Sequence, residues 1–253
     1  MKKFLSAFCL MVSFASFIKA QDLHFGFQAS PTWSWMRTDN SKINGVGSVL
    51  GLKLGLIAEG RFSEAYSISS GIGFHFNTGG KLRLDAPSRY WSELYADEFD
   101  VRPPVNRPDS AVFGKDALFK YNLTYVEIPV GLKMRTPESG NHVRWFAEPQ
   151  LTLGFRSNAR GAVESAGSLN QERISIKEVV SGLNLSWGIG GGGEYIISNN
   201  TAIVVGLYFQ SGFANVTSNS GDIIFDADGK SNPRAEKSKG VIRGLSLRMG
   251  VMF

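Results

Sequence analysis

Apolar and polar residues alternate along this chain with a period of two. In Val49–Phe62, Leu50, Leu52, Leu54, Leu56, Ala58 and Phe62 share one face, and Gly51, Lys53, Gly55, Ile57, Glu59 and Arg61 share the other. In Tyr66–Asn77, Ile68, Ile72, Phe74 and Phe76 alternate with Ser67, Ser69, Gly71, Gly73, His75 and Asn77. At the end of the chain, Leu245, Leu247, Met249, Val251 and Phe253 alternate with Ser246, Arg248 and Gly250. A helix would scatter such residues around its circumference, whereas a strand sorts them onto opposite faces. Eight segments read this way, near 23–36, 49–62, 66–79, 120–136, 142–157, 182–197, 201–215 and 240–253.

The connections alternate in length. Ser63-Glu64-Ala65, Pro137–Asn141 and Ser198-Asn199-Asn200 are short, whereas 37–48, 80–119, 158–181 and 216–239 are long and polar. Short connections at one end and long ones at the other predict an all-β fold. It is an eight-stranded antiparallel up-and-down transmembrane β-barrel with four long extracellular loops, the termini and short turns being periplasmic. A soluble lipocalin-like barrel would bury the apolar face instead. Three features favour the membrane barrel. The polar face is rich in glycine and in charges of both signs. Aromatics collect near the strand ends on the apolar face: Trp33, Trp35, Phe62, Tyr66, Trp145, Phe155, Trp187, Tyr195 and Phe213. They resemble two interfacial girdles facing outer-membrane lipid. The third feature is that the last alternating segment runs to Phe253.

Met1-Lys2-Lys3, the apolar run Phe4–Ile18 and Ala20 predict a secretory signal peptide over 1–20, leaving a barrel domain over 21–253 with an insertion loop at 80–119. Its removal corrects the apparent basicity. The 27 basic residues, less Lys2, Lys3 and Lys19, become 24 against 22 acidic ones, which gives no electrostatic case for a nucleic-acid partner. The only cysteine, Cys9, lies within 1–20, so disulfides, thiolate metal sites and cysteine nucleophiles are excluded from the rest. No segment of 21–253 is apolar for the ~20 residues that a spanning helix needs.

The polar face carries Glu59, Glu127, Glu148 and Glu194 together with Lys53, Arg61, Lys133, Arg135, Arg144, Arg156 and Arg248. An eight-stranded interior is just wide enough to be filled by side chains. Unpaired buried charge is costly. The expectation is therefore a lumen charge network that plugs the barrel, with no open pore. Turns centred near 64 and 139 would set Glu59 opposite Ser69, Arg61 opposite Ser67 and Glu127 opposite Gln150.

Chemistry-bearing motifs are sparse. Gly188-x-Gly190-x-x-Gly193 matches a dinucleotide fingerprint, but Glu194-Tyr195-Ile196-Ile197 continues a strand where a helix would be needed. Gly188, Gly190 and Gly192 are expected to face a crowded lumen instead. No pair among His24, His75 and His142 has metal-ligand spacing. Asp85, Asp97 and Asp100 lie in the loop after His75, which leaves a rim hydrolase as a weaker alternative; with no nucleophile–base pair evident, no enzymatic activity and no cofactor are expected. In the insertion loop, Trp91, Leu94, Tyr95 and Phe99 fall on one face of a helical segment that Arg102-Pro103-Pro104 would end. They would serve as a partner surface or fold down as a lid over the barrel mouth.

The stretch YNLTYVEIPVGLKMR at 121–135 resembles the fourth-strand motif of the PorT-like outer-membrane barrels of Bacteroidota, through Tyr125, Glu127, Ile128, Pro129, Leu132 and Lys133. WFAEPQLTLGF at 145–155 and WGIGGGGEY at 187–195 resemble that family's following strands. The resemblance implies residence in the outer membrane of a Gram-negative bacterium. It also implies a terminal Phe253 read by the barrel assembly machinery, and an association with type IX protein secretion, in which the family's namesake takes part. A surface-binding or envelope-structural barrel is the alternative.

Overall fold

The computed structural model describes residues 23–91, 113–138, 140, 142–165, 171–198, 201–217, 222–223, 234–235 and 237–253. The segment 1–20 and the loop residues Leu94, Tyr95 and Phe99 lie outside the described residues. Eight long strands form the wall: β1 (Leu23–Thr38), β2 (Val49–Arg61), β3 (Tyr66–Leu84), β4 (Leu118–Arg135), β5 (Val143–Glu164), β6 (Leu183–Ser198), β7 (Thr201–Gly212) and β8 (Gly240–Met252). Each pairs antiparallel with its neighbours in sequence. β8 pairs with β1 from Gly26↔Met252 to Thr38↔Gly240, which closes the barrel. Closure removes both sheet edges, so the wall leaves no unpaired ladder facing lipid.

The short turns and the chain end lie at one end, the turn end, where Phe25 and Phe253 exchange backbone hydrogen bonds of 2.9 and 2.7 Å. The long connections lie at the other, the loop end. Several strands are longer than the ~9–11 residues that cross a bilayer at a tilt. β5 has 22 residues, and β3 reaches Leu84, well into the stretch expected to be insertion loop. The excess rises beyond the membrane at the loop end. There the strand Ile43–Gly45 pairs with β3, and Gln171–Ser175 pairs with β5. Ser88–Arg89, Asp222–Ile223 and Arg234–Ala235 form a small three-stranded sheet.

The burial pattern changes sign partway up the wall. On β4, Val126, Ile128, Val130, Leu132 and Met134 face outward, and Glu127, Gly131, Lys133 and Arg135 face inward. Above Val126, the outward residues are Lys120, Asn122 and Thr124, and the inward ones are Phe119, Tyr121, Leu123 and Tyr125, all four fully buried. The pleat is unbroken and the residue types exchange sides. The neighbouring strands reach the same result by slipping. β3 shifts register between His75 and Thr78, where Asn77 and Gly79 take positive φ of 54° and 138°. β5 slips opposite Thr124/Tyr125, leaving Ser157 without a partner in the ladder. A bulge adds one residue and reverses every side chain beyond it. Leu82 and Leu84 therefore point inward, although they keep the parity of the outward Phe74 and Phe76.

The molecule thus has two tiers. The turn-end tier is apolar outside and polar inside. The loop-end tier encloses an apolar core that includes Met36, Ile43, Leu82, Leu84, Phe119, Tyr121, Leu123, Ile176 and Val216. Glu59 and Arg61 do face Ser69 and Ser67. Glu127 instead faces Gly154, and Gln150 faces Gly131, because the β4–β5 turn is centred farther along the chain than residue 139.

Candidate functional site

The lumen of the turn-end tier holds three linked groups of charges, stacked along the barrel axis. Lowest is a four-membered set contributed by β2, β4 and β6. Lys133 Nζ lies 2.5 Å from Glu59 Oε1 and donates to it. It also lies 2.5 Å from Glu194 Oε1, an ion pair that lacks hydrogen-bond alignment. Arg135 Nε donates to Glu194 Oε2 at 2.7 Å, its Nη1 donates to Ser67 Oγ at 2.6 Å, and its Nη2 reaches Glu59. The Lys133 ammonium also sits 4.5 Å from the Phe146 ring centroid. β2 and β6 stand on opposite sides of the barrel, so these four residues brace it across its width.

Glu148 on β5 anchors the middle group. Ser69 Oγ donates to it at 2.7 Å, Arg248 Nη1 donates at 3.0 Å, and the Tyr208 hydroxyl donates as well. Arg248 further donates to the Tyr208 hydroxyl at 2.6 Å and stacks 3.5 Å from that ring's centroid. The ring lies flat where a side chain at position 190 would stand, so Gly190 is what admits it. A Cβ at Gly192 would likewise strike the β7 backbone at Val205. Gly188, Gly190 and Gly193 lie within a strand, which removes the helix that a dinucleotide site requires.

The uppermost group centres on Glu127. Lys53 Nζ lies 2.6 Å from its Oε2, and His75 Nδ1 lies 3.1 Å from its Oε1. Lys53 also donates to Gln210 Oε1 at 3.0 Å, and Gln210 Nε2 donates to Ser186 Oγ at 2.7 Å. Above it, among the described residues, the free space bounded by Thr32, Ser34, His75, Ser186 and Gln210 is about 10 Å³, room for a single water molecule. Four carboxylates thus meet four cations, Lys53, Lys133, Arg135 and Arg248, and the interior charge cancels. Ions removed from water need this kind of pairing and further hydrogen bonds to offset desolvation.

Three residues expected in the network stand apart from it: Arg156 donates instead to the backbone carbonyls of Lys177, at 2.5 Å, and Val180, and the other two lie at the turn end. Arg144 is partly exposed near the turn end and reaches Glu138 at 3.4 Å, because its strand position lies at the mouth beside water. Arg61 is half-buried at the same mouth, and its Nε has no hydrogen-bond partner. Both line a shallow vestibule with His24, Glu138 and Met252. Conversely, Tyr208 and Gln210 carry the network without having stood out in the sequence. Their even-numbered parity on β7, shared with Val204 and Gly206, was the available signal.

The aromatics Trp33, Phe62, Tyr66, Trp145, Phe155, Trp187 and Tyr195 are exposed on the outer face, as is Phe253. Trp35 is partly covered, with its ring 6.4 Å from that of Phe209. Phe253 lies 5.8 Å from Phe27 at the turn end.

Trp91 overturns the partner-surface reading and takes the lid role, the alternative to it. It is 2 % exposed and offers no surface to a partner. Its Nε1 donates to the Tyr121 hydroxyl at 2.8 Å, and its ring meets Phe119 edge-on at 4.8 Å. The loop-end tier has an apolar interior that must be filled, and this tryptophan folds down into it as a lid. The rim-hydrolase geometry also fails for the described residues: His75 is buried against Glu127, while the Asp85 carboxylate is held by Arg83 at 3.1 Å and by Asn44. Asp97 and Asp100 lie outside the described residues. No cluster of three or more His, Cys, Asp or Glu side chains able to hold a metal occurs among the described residues.

The chain is similar in barrel architecture to several solved structures. A major outer membrane protein from Thermus thermophilus is 14% identical, with a TM-score of 0.42 over 91% of this chain and 98% of that one. Neisserial surface protein A is 12% identical, with a TM-score of 0.40 over 90% and 95%. Ail, the attachment invasion locus protein of Yersinia pestis, is 10% identical, with a TM-score of 0.38 over 91% and 98%. No curated protein sequence matches the chain. The family model for the outer membrane protein beta-barrel domain matches residues 19–218, most of the wall described above. With its closed eight-stranded wall and lipid-suited exterior, the chain is an outer-membrane protein and belongs to that β-barrel domain family.

Proposed function

We propose that this protein is a non-conducting, non-enzymatic barrel that anchors a folded platform at the outer surface of the outer membrane. The observation that carries this reading is the charge-neutral network of Glu59, Glu127, Glu148 and Glu194 with their four cations, which fills the lumen where a pore would run. A platform role follows from the other tier. Strand material beyond the bilayer is expensive to order, and here it is organised around its own apolar core. In this reading the loop end faces outward and the short turns face the periplasm, the usual arrangement of such barrels. Planar-bilayer recording of purified protein tests it: negligible steady conductance is expected, and a stable large single-channel current would reject it.

A second reading makes the platform an accessory of type IX protein secretion. It is favoured by the Tyr125, Glu127, Ile128, Pro129, Leu132 and Lys133 motif, of which Glu127 and Lys133 are members of the lumen network. Deleting the gene and assaying secretion of proteins that bear the type IX C-terminal signal tests this reading. Undiminished secretion would reject it and leave the surface-binding or envelope-structural role.

A further inference from the structure

The outer face at the β8–β1 seam carries two cations beside the aromatic residues Trp35, Phe209 and Trp187. Arg243 is the register partner of both Trp35 on β1 and Ser211 on β7. It therefore points outward beside the upper aromatic girdle, where Trp35 and Trp187 flank Phe209 at ring distances of 6.4 and 5.9 Å. Its Nε is buried and has no hydrogen-bond partner. Arg37 stands opposite Val241, the next outward position of the same seam, and is exposed. Diagonal neighbours across an antiparallel pair lie about 7–8 Å apart, within joint reach of one ligand for long side chains. Among the described residues neither arginine has an ion-pair partner. The nearby acid Asp39 accepts the Lys239 backbone N–H at 2.7 Å, and Lys239 adds a third cation to the corner.

A lone arginine at a membrane edge can snorkel into water. For Arg243 this escape is limited, since the Nε of its guanidinium fork is buried. Such a fork matches the geometry of phosphate oxygens. The aromatic shelf beneath offers apolar surface to acyl chains at the same height.

We propose that Arg37 and Arg243 form a binding site for the phosphate of an outer-leaflet glycolipid, whose acyl chains lie along Trp35, Phe209 and Trp187. This rests on the outward orientation of the loop end. The lipid is of the lipid A class, and each arginine donates to a headgroup phosphate while the seam below stays in contact with hydrocarbon.

The test is native mass spectrometry of the full folded barrel in detergent, titrated with diphosphoryl lipid A and with its dephosphorylated form. The wild-type barrel should retain the phosphorylated lipid and release the dephosphorylated one. Arg37→Gln/Arg243→Gln should weaken retention on the order of tenfold or more, the loss expected for two charge-assisted contacts. Lys81→Gln/Lys120→Gln removes the same charge from outward positions higher on β3 and β4 and should leave retention unchanged. Arg243→Lys keeps the charge without the fork and should fall between; it also serves if the double variant does not fold. Equal retention by the wild type and both Arg243 variants would overturn the site. So would equal loss in the Lys81/Lys120 control, equal retention of the dephosphorylated lipid, or full displacement by inorganic phosphate. Binding in detergent does not depend on orientation. Whole-cell proteolysis at the short turns would separately reveal a failure of the orientation.

Discussion

The two tiers of this barrel share the same strands and solve opposite problems. The turn-end tier meets hydrocarbon outside and must hide charge inside. The loop-end tier meets water outside and can keep an ordinary apolar core. β4 passes through both without a break, so that Val130 outside and Glu127 inside give way to Lys120 outside and Tyr121 inside. β3 and β5 make the same exchange by inserting a residue near Asn77 and Ser157. The comparison teaches that a bilayer boundary can be written in a strand either as a change of residue type at constant parity or as a change of parity at constant residue type.

Substitutions matched across the tiers test this. The largest effect is expected at Glu59, whose carboxylate is shared by Lys133 and Arg135. Glu59→Leu strands buried cations and should cost about 3–5 kcal/mol, read as a lower urea midpoint of the heat-modifiable folded form. Glu59→Leu/Lys133→Met removes both signs and should recover much of that loss. In the loop-end tier, Leu123→Ala leaves a cavity in the apolar core and should cost about 2–5 kcal/mol. It should show first as protease sensitivity of the loop end while the barrel below remains folded. An equal loss of the barrel would mean that the tiers unfold as one. On the outer face, Leu151 is 63 % exposed at mid-height. Leu151→Lys faces hydrocarbon and should cost about 2–4 kcal/mol. The smallest change is expected for Lys120→Leu, on water-facing surface of the upper tier, within about 0.5 kcal/mol. Stabilisation in lipid by Lys120→Leu, comparable to the loss in Leu151→Lys, would place the membrane higher than the polarity switch does.

Much of the turn-end tier was legible in the sequence, because period-two alternation there coincides with lipid outside and charge inside. The lumen positions of Glu59, Glu127, Glu148, Glu194, Lys53, Lys133 and Arg248 follow from parity alone. Which charges pair does not follow, since partners such as Glu59 and Lys133 are 74 residues apart and stand on β2 and β4, with β3 between them. The upper tier was hidden for a specific reason. On β3, Phe74, Phe76, Leu82 and Leu84 keep one parity, so the pattern reads as one continuous face, while a bulge between them reverses the meaning of that face. The surviving hint is local, in Asn77 and the Gly79-Gly80 pair, where positive φ is easily adopted. The choice between partner surface and lid for Trp91 was hidden for a related cause. A tryptophan in a polar loop looks available to a partner until the loop is known to cover an apolar interior.

The inversion on β4 can be measured directly. The only cysteine of the chain is Cys9, so in a Cys9→Ser background single cysteines introduced from 118 to 134 can be labelled uniquely in the folded barrel. With an environment-sensitive fluorophore in lipid bilayers, labels at 126, 128, 130 and 132 should be quenched by a lipid-soluble quencher, and labels at 118, 120, 122 and 124 by an aqueous one. Labels at the odd positions should be shielded from both. Lipid quenching that continues with the same period through position 120 would contradict the two-tier account.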